Sequence, residues 1–197
     1  MNIDDYTNIH GWFEHKTDGQ VFDYVIDKLP LNSNFAECGV WLGRSTCYSN
    51  YLIQKNSKNI NHYAFDNFDH ENLKDPNEEN VRLLCKDILN GEKQLDVFIK
   101  NCNLYNIYVK PVVGDFDETI QEFPNDFFDA FYIDMMHDYD SVYKNLNNAY
   151  KKVKKTGIIC GHDYGHLPVS IAVKDFLKNN NLITECREIC GSFIIEL

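Results

Sequence analysis

The chain has 197 residues, of which 44% are hydrophobic and 14% aromatic, and its formal net charge is −11 at pH 7. That length is enough for one domain with a full hydrophobic core. The acidic balance and the lack of a basic stripe argue against nucleic acid as a main partner, because a phosphate backbone needs a basic surface.

The seven cysteines indicate a reducing compartment. Their number is odd and no CxxC motif occurs, which favours buried free thiols over a disulfide framework or a zinc site. The first residues are polar and acidic, unlike a signal peptide, and no apolar run approaches the length of a membrane span. We therefore expect a cytoplasmic protein with no membrane partner.

Short apolar runs alternate with amphipathic segments, which is typical of a parallel sheet covered by helices. The segment 19–29 has apolar residues at helical spacing and is closed by Pro30. Five strands are predicted after it, at 34–40, 61–68, 106–114, 127–134 and 157–164. Two further short strands flank Cys190–Gly191.

Helices are predicted between these strands. One lies near 43–54, and one covers 139–157, with Val153 on its apolar face and Gly157 at the usual position after its end. The segment 67–104 is polar and acidic at first, then helical, and long enough to form a functional flap, and its part 67–92 is a candidate cover for the substrate mouth.

Together these elements predict one α/β domain over residues 1–197. Residues 31–197 form the sheet core, and residues 1–30 form a helical N-terminal segment that is a candidate lid. No repeat or low-complexity tract divides the chain.

Residues that follow a strand are the candidates for binding, because ligands of open α/β sheets lie beyond the carboxyl ends of the strands. After the first strand, "ECGVWLGRS" supplies Gly39 and Gly43, which let the backbone approach a ligand closely. Their spacing is not GxGxxG, so the dinucleotide fingerprint is absent. Glycines at such a place are also typical of an ordinary turn.

Acidic residues follow the next two strands. Asp66 stands where a carboxylate can accept hydrogen bonds from ribose hydroxyls, and the alternative is a turn aspartate. Asp115 is placed to accept from an adenine amino group, and equally to cap the helix that follows.

Polar side chains also follow the fourth and fifth strands. Asp134 comes after the fourth strand, and His162 and Asp163 come after the fifth. Neighbouring strand ends would bring these residues together with His137, and such carboxylate and imidazole groups predict a divalent metal site. Helix capping is the competing interpretation, and we assign it to Asp138 and Asp140.

Ordered segments of the chain resemble class I S-adenosylmethionine-dependent methyltransferases, and more narrowly the branch of macrocin-type sugar O-methyltransferases. The match runs from about residue 34 to residue 177. It rests on "FAECGVWLGRS", "AFDNF", "VVGDFDETI", "FYIDMMHDYDSVYKNLNNAYKKVKKTGIICGHDY" and "VSIAVKDF". The resemblance implies a Rossmann-like three-layer sandwich with a seven-stranded, mostly parallel sheet and an antiparallel C-terminal strand.

The resemblance also implies where S-adenosylmethionine would bind. Asp66 would hold the ribose and Asp115 the adenine. The methionine moiety would lie on the turn after the first strand, formed by Glu37, Gly39, Val40, Trp41, Gly43 and Ser45.

A metal and a base are implied in the same way. Asp134, His162 and Asp163 match the positions of metal ligands, and Asp134 and His137 match catalytic positions, with His137 as the base. In the best-understood relatives an acid or amide stands at the position of His162. Because histidine is a poorer magnesium ligand, manganese, another ion and the absence of a metal stay open as alternatives to magnesium.

The expected reaction is methyl transfer to the hydroxyl of a small molecule, a sugar or nucleotide-sugar, from which His137 removes the proton. Two alternatives stay open: a non-catalytic nucleoside-binding domain, and another α/β enzyme with a nucleotide cofactor, such as a dehydrogenase. The expected partner is the small-molecule acceptor, and association into a homo-oligomer is left open.

Overall fold

The computed structural model describes residues 5–69 and 79–197. Its strands are β1 (Asn34–Cys38), β2 (Asn61–Asp66), β3 (Lys110–Val113), β4 (Phe128–Ile133), β5 (Val153–Gly161), β6 (Cys186–Ile189) and β7 (Ser192–Glu196). Its α-helices are α1 (Gly19–Lys28), α2 (Arg44–Lys55), α3 (Glu79–Leu89), α4 (Gln94–Leu104), α5 (Phe116–Thr119), α6 (Tyr139–Lys152) and α7 (Leu167–Asn179). Short 3-10 helices lie at Asp5–Asn8 and Ile120–Glu122.

The strands form a single seven-stranded sheet in the order β3-β2-β1-β4-β5-β7-β6. β1 to β5 run parallel, whereas β7 is antiparallel to both β5 and β6. The predicted mostly parallel sheet with an antiparallel C-terminal strand is thus confirmed. Chain order reverses between β1 and β4, which is where such sheets bind ligands.

Helices cover both faces of the sheet, because successive strand residues point to opposite sides. On one face, Phe35 and Tyr132 pack in a core with α1, α2 and α4. On the other face, Phe131 and Ile133 pack in a core with α5, α6 and α7. The result is the predicted three-layer sandwich.

The N-terminal segment belongs to the first of these cores. Its residues Tyr6, Ile9 and Phe13 are buried there with α1 and α2, and the ring centroid of Phe22 in α1 lies 4.3 Å from that of Tyr132. All seven cysteines are free, and five of them are buried. No helix in the described part of the chain is both long and apolar enough to cross a membrane.

The predicted boundary between α6 and β5 is wrong. The helix predicted over 139–157 ends at Lys152, and Val153 is its C-cap and the first residue of β5. Val153 is fully buried and pairs with Phe128 of β4. Burial against the neighbouring strand therefore accounts for an apolar residue that the helical spacing also fitted.

Gly157 lies inside β5 and does not end a helix. The pairing of β4 with β5 shifts register between Phe128 and Ala130, and Gly157 sits in that irregularity. A Cβ at Gly157 would lie 2.5 Å from a methyl of Val153 and 2.8 Å from the Asp129 carbonyl oxygen. Glycine is therefore required here for the close approach of β5 to β4 rather than for helix termination.

Candidate functional site

The carboxyl ends of the parallel strands open into a cavity of about 1150 Å³. Its walls come from the turn after β1, the end of β2, the start of α5, the segment between β4 and α6, the end of β5, and residues 11–13 of the N-terminal segment. The predicted site residues that line it are Gly39, Val40, Trp41, Ser45, Asp66, Asp115, Asp134, His137, His162 and Asp163. Glu37 and Gly43 do not line it.

The turn after β1 depends on its two glycines. Gly39 has φ +87°, and a Cβ there would lie 1.8 Å from the carbonyl oxygen of Asp134. Gly43 has φ +89° and precedes α2 in the left-handed conformation. Both positions favour glycine on conformational grounds, and Gly39 also lets the ends of β1 and β4 touch.

Glu37 lies fully buried beneath this turn. Its Oε2 is 2.9 Å from Nε2 of His62, which is also fully buried, and its Oε1 accepts a hydrogen bond from the Ser45 hydroxyl. The other ring nitrogen of His62 lies 2.7 Å from the Asn50 amide nitrogen. Glu37 therefore ties β1 to β2 and to the start of α2, below the floor of the cavity.

Asp66 holds the same turn from the other side. Its Oδ2 accepts from the backbone N–H groups of Val40 and Trp41, both at 3.0 Å. Its Oδ1 accepts from the Phe68 backbone at 2.7 Å and the Gln94 side chain at 3.2 Å. Burial raises the pKa of Asp66, and these four donors counteract the rise. The predicted ribose contact would add to a carboxylate that already accepts four hydrogen bonds.

Two aspartates cap helices, as the competing interpretation proposed. Asp115 accepts from the Asp117 backbone at 2.9 Å before α5, although it also lines the cavity. Asp138 accepts from the Ser141 backbone at 3.0 Å before α6, and this bond lowers its pKa. Asp140 lies in the first turn of α6 and is not its N-cap.

The ends of β4 and β5 bring the predicted metal ligands together. One donor atom from each of Asp134, His162 and Asp163 can be chosen so that all lie within 4.8 Å of one another. No other group of this kind occurs among residues 5–69 and 79–197. Two carboxylates and an imidazole converging at half-buried positions fit a divalent cation such as Mn²⁺.

His137 contacts the carboxylates of Asp134 and Asp163. Its Nε2 lies 2.9 Å from Asp163 Oδ2 and 3.5 Å from Asp134 Oδ1. Interactions with Asp134, and next with Asp163, raise the pKa of His137 to about 10 against its partial burial. At neutral pH the imidazolium thus offsets the charge of one of the two carboxylates.

The other two members of the cluster shift in the matching sense. His162 Nδ1 lies 3.2 Å from Asp163 Oδ2, and this interaction raises the pKa of His162 to about 9. His137 and then His162 hold the pKa of Asp163 well below its ordinary value. The cluster is therefore a group of interacting charges at the carboxyl ends of β4 and β5.

The N-terminal segment closes one side of the cavity. The Arg44 guanidinium donates to the Gly11 carbonyl oxygen at 2.9 Å, and the ring centroid of Trp12 lies 6.0 Å from that of Trp41. Trp12 is 63% exposed although Phe13 beside it is buried. The flap predicted over 67–92 lies partly outside the described residues, and α3 within it contributes Val81 and Cys85 to the cavity wall.

Two residues that contact predicted site residues were not predicted from the sequence. His62, which had no predicted role, is the buried partner of Glu37. Asp18 lies with its Oδ1 3.5 Å from His162 Nε2. The contact of His62 with Glu37 depends on the strand register, which pairs Phe35 with His62 and places Glu37 two residues further on the same face, and the sequence alone does not give that register. No spacing in the sequence connects Asp18 with His162.

Comparisons with known proteins agree with this architecture. A family profile described as a methyltransferase domain matches residues 36–164. The O-methyltransferase NovP is 18% identical with a TM-score of 0.64, over 90% of this chain and 78% of its own. The precorrin-6y C5,15-methyltransferase from Geobacter metallireducens is 13% identical with a TM-score of 0.64, over 99% and 96% of the two chains.

A Streptococcus mutans protein solved in complex with SAH is 14% identical with a TM-score of 0.59, over 90% of this chain and 94% of its own. A search of curated proteins found no significant match. The likeness to solved structures concerns the fold, whereas the family profile spans more than half of the sequence. The chain belongs to the methyltransferase-domain family and is an S-adenosylmethionine-dependent methyltransferase.

Proposed function

We propose that this methyltransferase is an O-methyltransferase of the macrocin type, which methylates a hydroxyl of a sugar or nucleotide-sugar with the help of a divalent metal. The observation that carries the proposal is the convergence of Asp134, His162 and Asp163 beside His137, in the same cavity as the glycine turn. Relatives that methylate oxygen include NovP by its printed name.

S-Adenosylmethionine supplies an electrophilic methyl group when bound, and a divalent ion held by Asp134, His162 and Asp163 would lower the pKa of an acceptor hydroxyl. The chain's own residues contribute position and proton transfer. The turn from Gly39 to Trp41 presents backbone at the cavity floor, held there by Asp66. Such alignment of two reactants is a major source of rate.

His137 is the proposed general base. While no metal is bound to Asp134 and Asp163, the pKa of His137 of about 10 keeps it protonated at neutral pH. A base must be neutral to accept a proton, so His137 can act only when the charge of these carboxylates is neutralised by something else. This requirement links the proposed base to the proposed metal site.

Calorimetric titration tests the pocket and the metal site separately. S-Adenosylhomocysteine is expected to bind the metal-stripped protein, and Mn²⁺ is expected to give its own binding signal, which Asp163→Ala abolishes. The cofactor product should still bind to Asp163→Ala. Absence of any Mn²⁺ or Mg²⁺ signal in the unaltered protein would refute metal assistance, while leaving the methyltransferase activity itself standing.

Turnover of His137→Ala tests the base. General-base catalysis contributes about 10²–10⁴-fold, so turnover should fall by that factor while binding of S-adenosylhomocysteine is retained. His166→Ala is the matched control, because His166 is an exposed residue at the start of α7.

A panel of sugars, nucleotide-sugars and catechol-like phenols identifies the acceptor, and exclusive methylation of phenols would overturn the carbohydrate assignment.

A further inference from the structure

Asp18 stands directly before α1, where an aspartate ordinarily caps the helix. Its backbone is helical, with φ −66° and ψ −27°, and its carboxylate makes no capping hydrogen bond to α1. Instead, Oδ2 accepts from the Glu14 backbone at 2.7 Å, and Oδ1 lies 3.5 Å from Nε2 of His162. The carboxylate has turned away from its own helix toward the end of β5.

The surrounding chain fixes the carboxylate in this place. The Thr17 hydroxyl donates to Asp18 Oδ1 at 3.1 Å, and the Asp18 backbone donates to the Glu14 carbonyl oxygen at 2.8 Å. At the next residue, a Cβ on Gly19 would lie 2.9 Å from the ring of Tyr48, a buried residue of α2. The start of α1 therefore packs closely against α2, which restricts the backbone next to Asp18.

The two nitrogens of His162 face different carboxylates. Nδ1 lies 3.2 Å from Asp163 Oδ2, on the side of the ligand cluster, whereas Nε2 faces Asp18. A metal-binding histidine commonly donates its second ring N–H to a carboxylate, which fixes the tautomer and the ring orientation. The Asp18 side chain is 16% exposed, so it is largely shielded from water in this contact.

We propose that Asp18 is a positioning residue, which orients His162 for metal binding through Nδ1. The inference rests on the proposed metal site and adds to it a residue of the N-terminal segment. It gives this segment a role besides covering the cavity, because a residue before α1 then controls a ligand at the end of β5.

A double-mutant cycle on Mn²⁺ affinity tests the inference, with free Mn²⁺ measured by electron paramagnetic resonance. Loss of a carboxylate that holds a metal-binding histidine typically weakens metal binding about 10–100-fold. This is the effect expected for Asp18→Ala. Asp18→Asn keeps an oxygen that can accept from the ring N–H, so its affinity should lie between those of Asp18→Ala and the unaltered protein. In a His162→Ala background, Asp18→Ala should cause no further loss.

Asp27→Ala is the matched control, because it removes the same type of side chain from an exposed position of α1 and leaves the carboxylate of Asp18 beside His162. It should retain the affinity of the unaltered protein, and S-adenosylhomocysteine binding verifies that each variant is folded. Equal affinity of Asp18→Ala and the unaltered protein would overturn the inference alone, as would an undiminished effect in the His162→Ala background. Failure of the unaltered protein to bind Mn²⁺ would overturn the metal site and the inference together.

Discussion

Glu37 and His62 illustrate how single residues beneath the cavity support it. Both side chains are fully buried, and their facing atoms are 2.9 Å apart. Removing one partner of a buried polar pair leaves the other without its hydrogen-bonding partner, which costs about 1–3 kcal/mol. We expect His62→Ala to lower the free energy of unfolding by about this amount in urea denaturation.

His10→Ala serves as the control for this prediction, because His10 is exposed and a surface substitution usually changes stability by less than about 0.5 kcal/mol. If His62→Ala unfolds at the same urea concentration as His10→Ala, Glu37 and His62 do not stabilise the turn.

The histidines of the ligand cluster predict how metal affinity depends on pH. His162 must be neutral to bind a metal, and its pKa in the metal-free protein is about 9. Below that pH, binding has to displace a proton, so affinity falls as pH falls, by about tenfold per pH unit for each proton displaced. Mn²⁺ affinity should therefore rise between about pH 6 and pH 8.

Titration calorimetry in buffers of different ionisation enthalpy measures the protons released. In His162→Ala the contribution of this histidine disappears, and the pH dependence should become shallower. An affinity that stays constant over the same pH interval in the unaltered protein would contradict the assignment of His162 as a ligand.

At the residue scale, chain order is enough to predict that Asp134, His162 and Asp163 lie close together, because parallel strands bring their carboxyl ends to one edge of the sheet. Asp18 and His62 could not be predicted as partners, because their contacts depend on how α1 and β2 pack. The burial of Glu37 could not be predicted from the sequence for the same reason. Its position at the end of β1 fits a ligand contact and a buried support equally well.

Among the elements, the turn between β1 and α2 is sensitive to substitution at Gly39. Gly39→Ala would place a Cβ 1.8 Å from the Asp134 carbonyl oxygen, so β1 and β4 would have to separate. Gly91 offers a matched control, because it also has positive φ, at +85°, but open space around it. Gly91→Ala should cost about 1 kcal/mol, the ordinary cost of left-handed backbone for a residue with a Cβ.

We expect Gly39→Ala to lose several times more stability than Gly91→Ala, and to lose binding of S-adenosylhomocysteine. Thermal unfolding and calorimetry measure the two effects. Equal losses of stability in the two variants would show that the close approach of β1 to β4 is not required.

Element boundaries show where local patterns stop being informative. The amphipathic spacing of α1 and the apolar runs of β1 and β4 were enough to locate them, because one face or both faces of each are buried. The start of β5 at Val153 was missed, since an apolar residue followed by Gly157 also fits the end of a helix. The pairing of Val153 with Phe128 across the sheet decides the outcome, and that contact is not local.

At the scale of the whole molecule, the N-terminal segment and the sheet share one core. Tyr6, Phe13 and Phe22 are all buried with residues of the sheet and of α2. The prediction of a single domain with an N-terminal lid therefore has a physical consequence: the lid cannot detach without exposing part of that core. Cooperative unfolding of the segment with the sheet is expected.

The two tryptophans of the chain make this consequence measurable. Trp12 lies in the N-terminal segment and Trp41 in the turn after β1, with ring centroids 6.0 Å apart. Tryptophan fluorescence therefore reports on the contact between segment and sheet, whereas far-UV circular dichroism reports on all helices and strands. In urea, we expect the two signals to change at the same midpoint, because the buried aromatic residues couple the segment to the core.

Phe22→Ala supplies the matching perturbation. Its ring packs 4.3 Å from that of Tyr132, and loss of a buried phenylalanine costs about 3–5 kcal/mol. Both midpoints should fall together in this variant, because a single cooperative unit loses stability as a whole. A fluorescence change that precedes the loss of circular dichroism would instead show that residues 1–30 open as a separate unit of low stability. In that case the segment would be a mobile lid, and its contact between Asp18 and His162 would break each time the cavity opened.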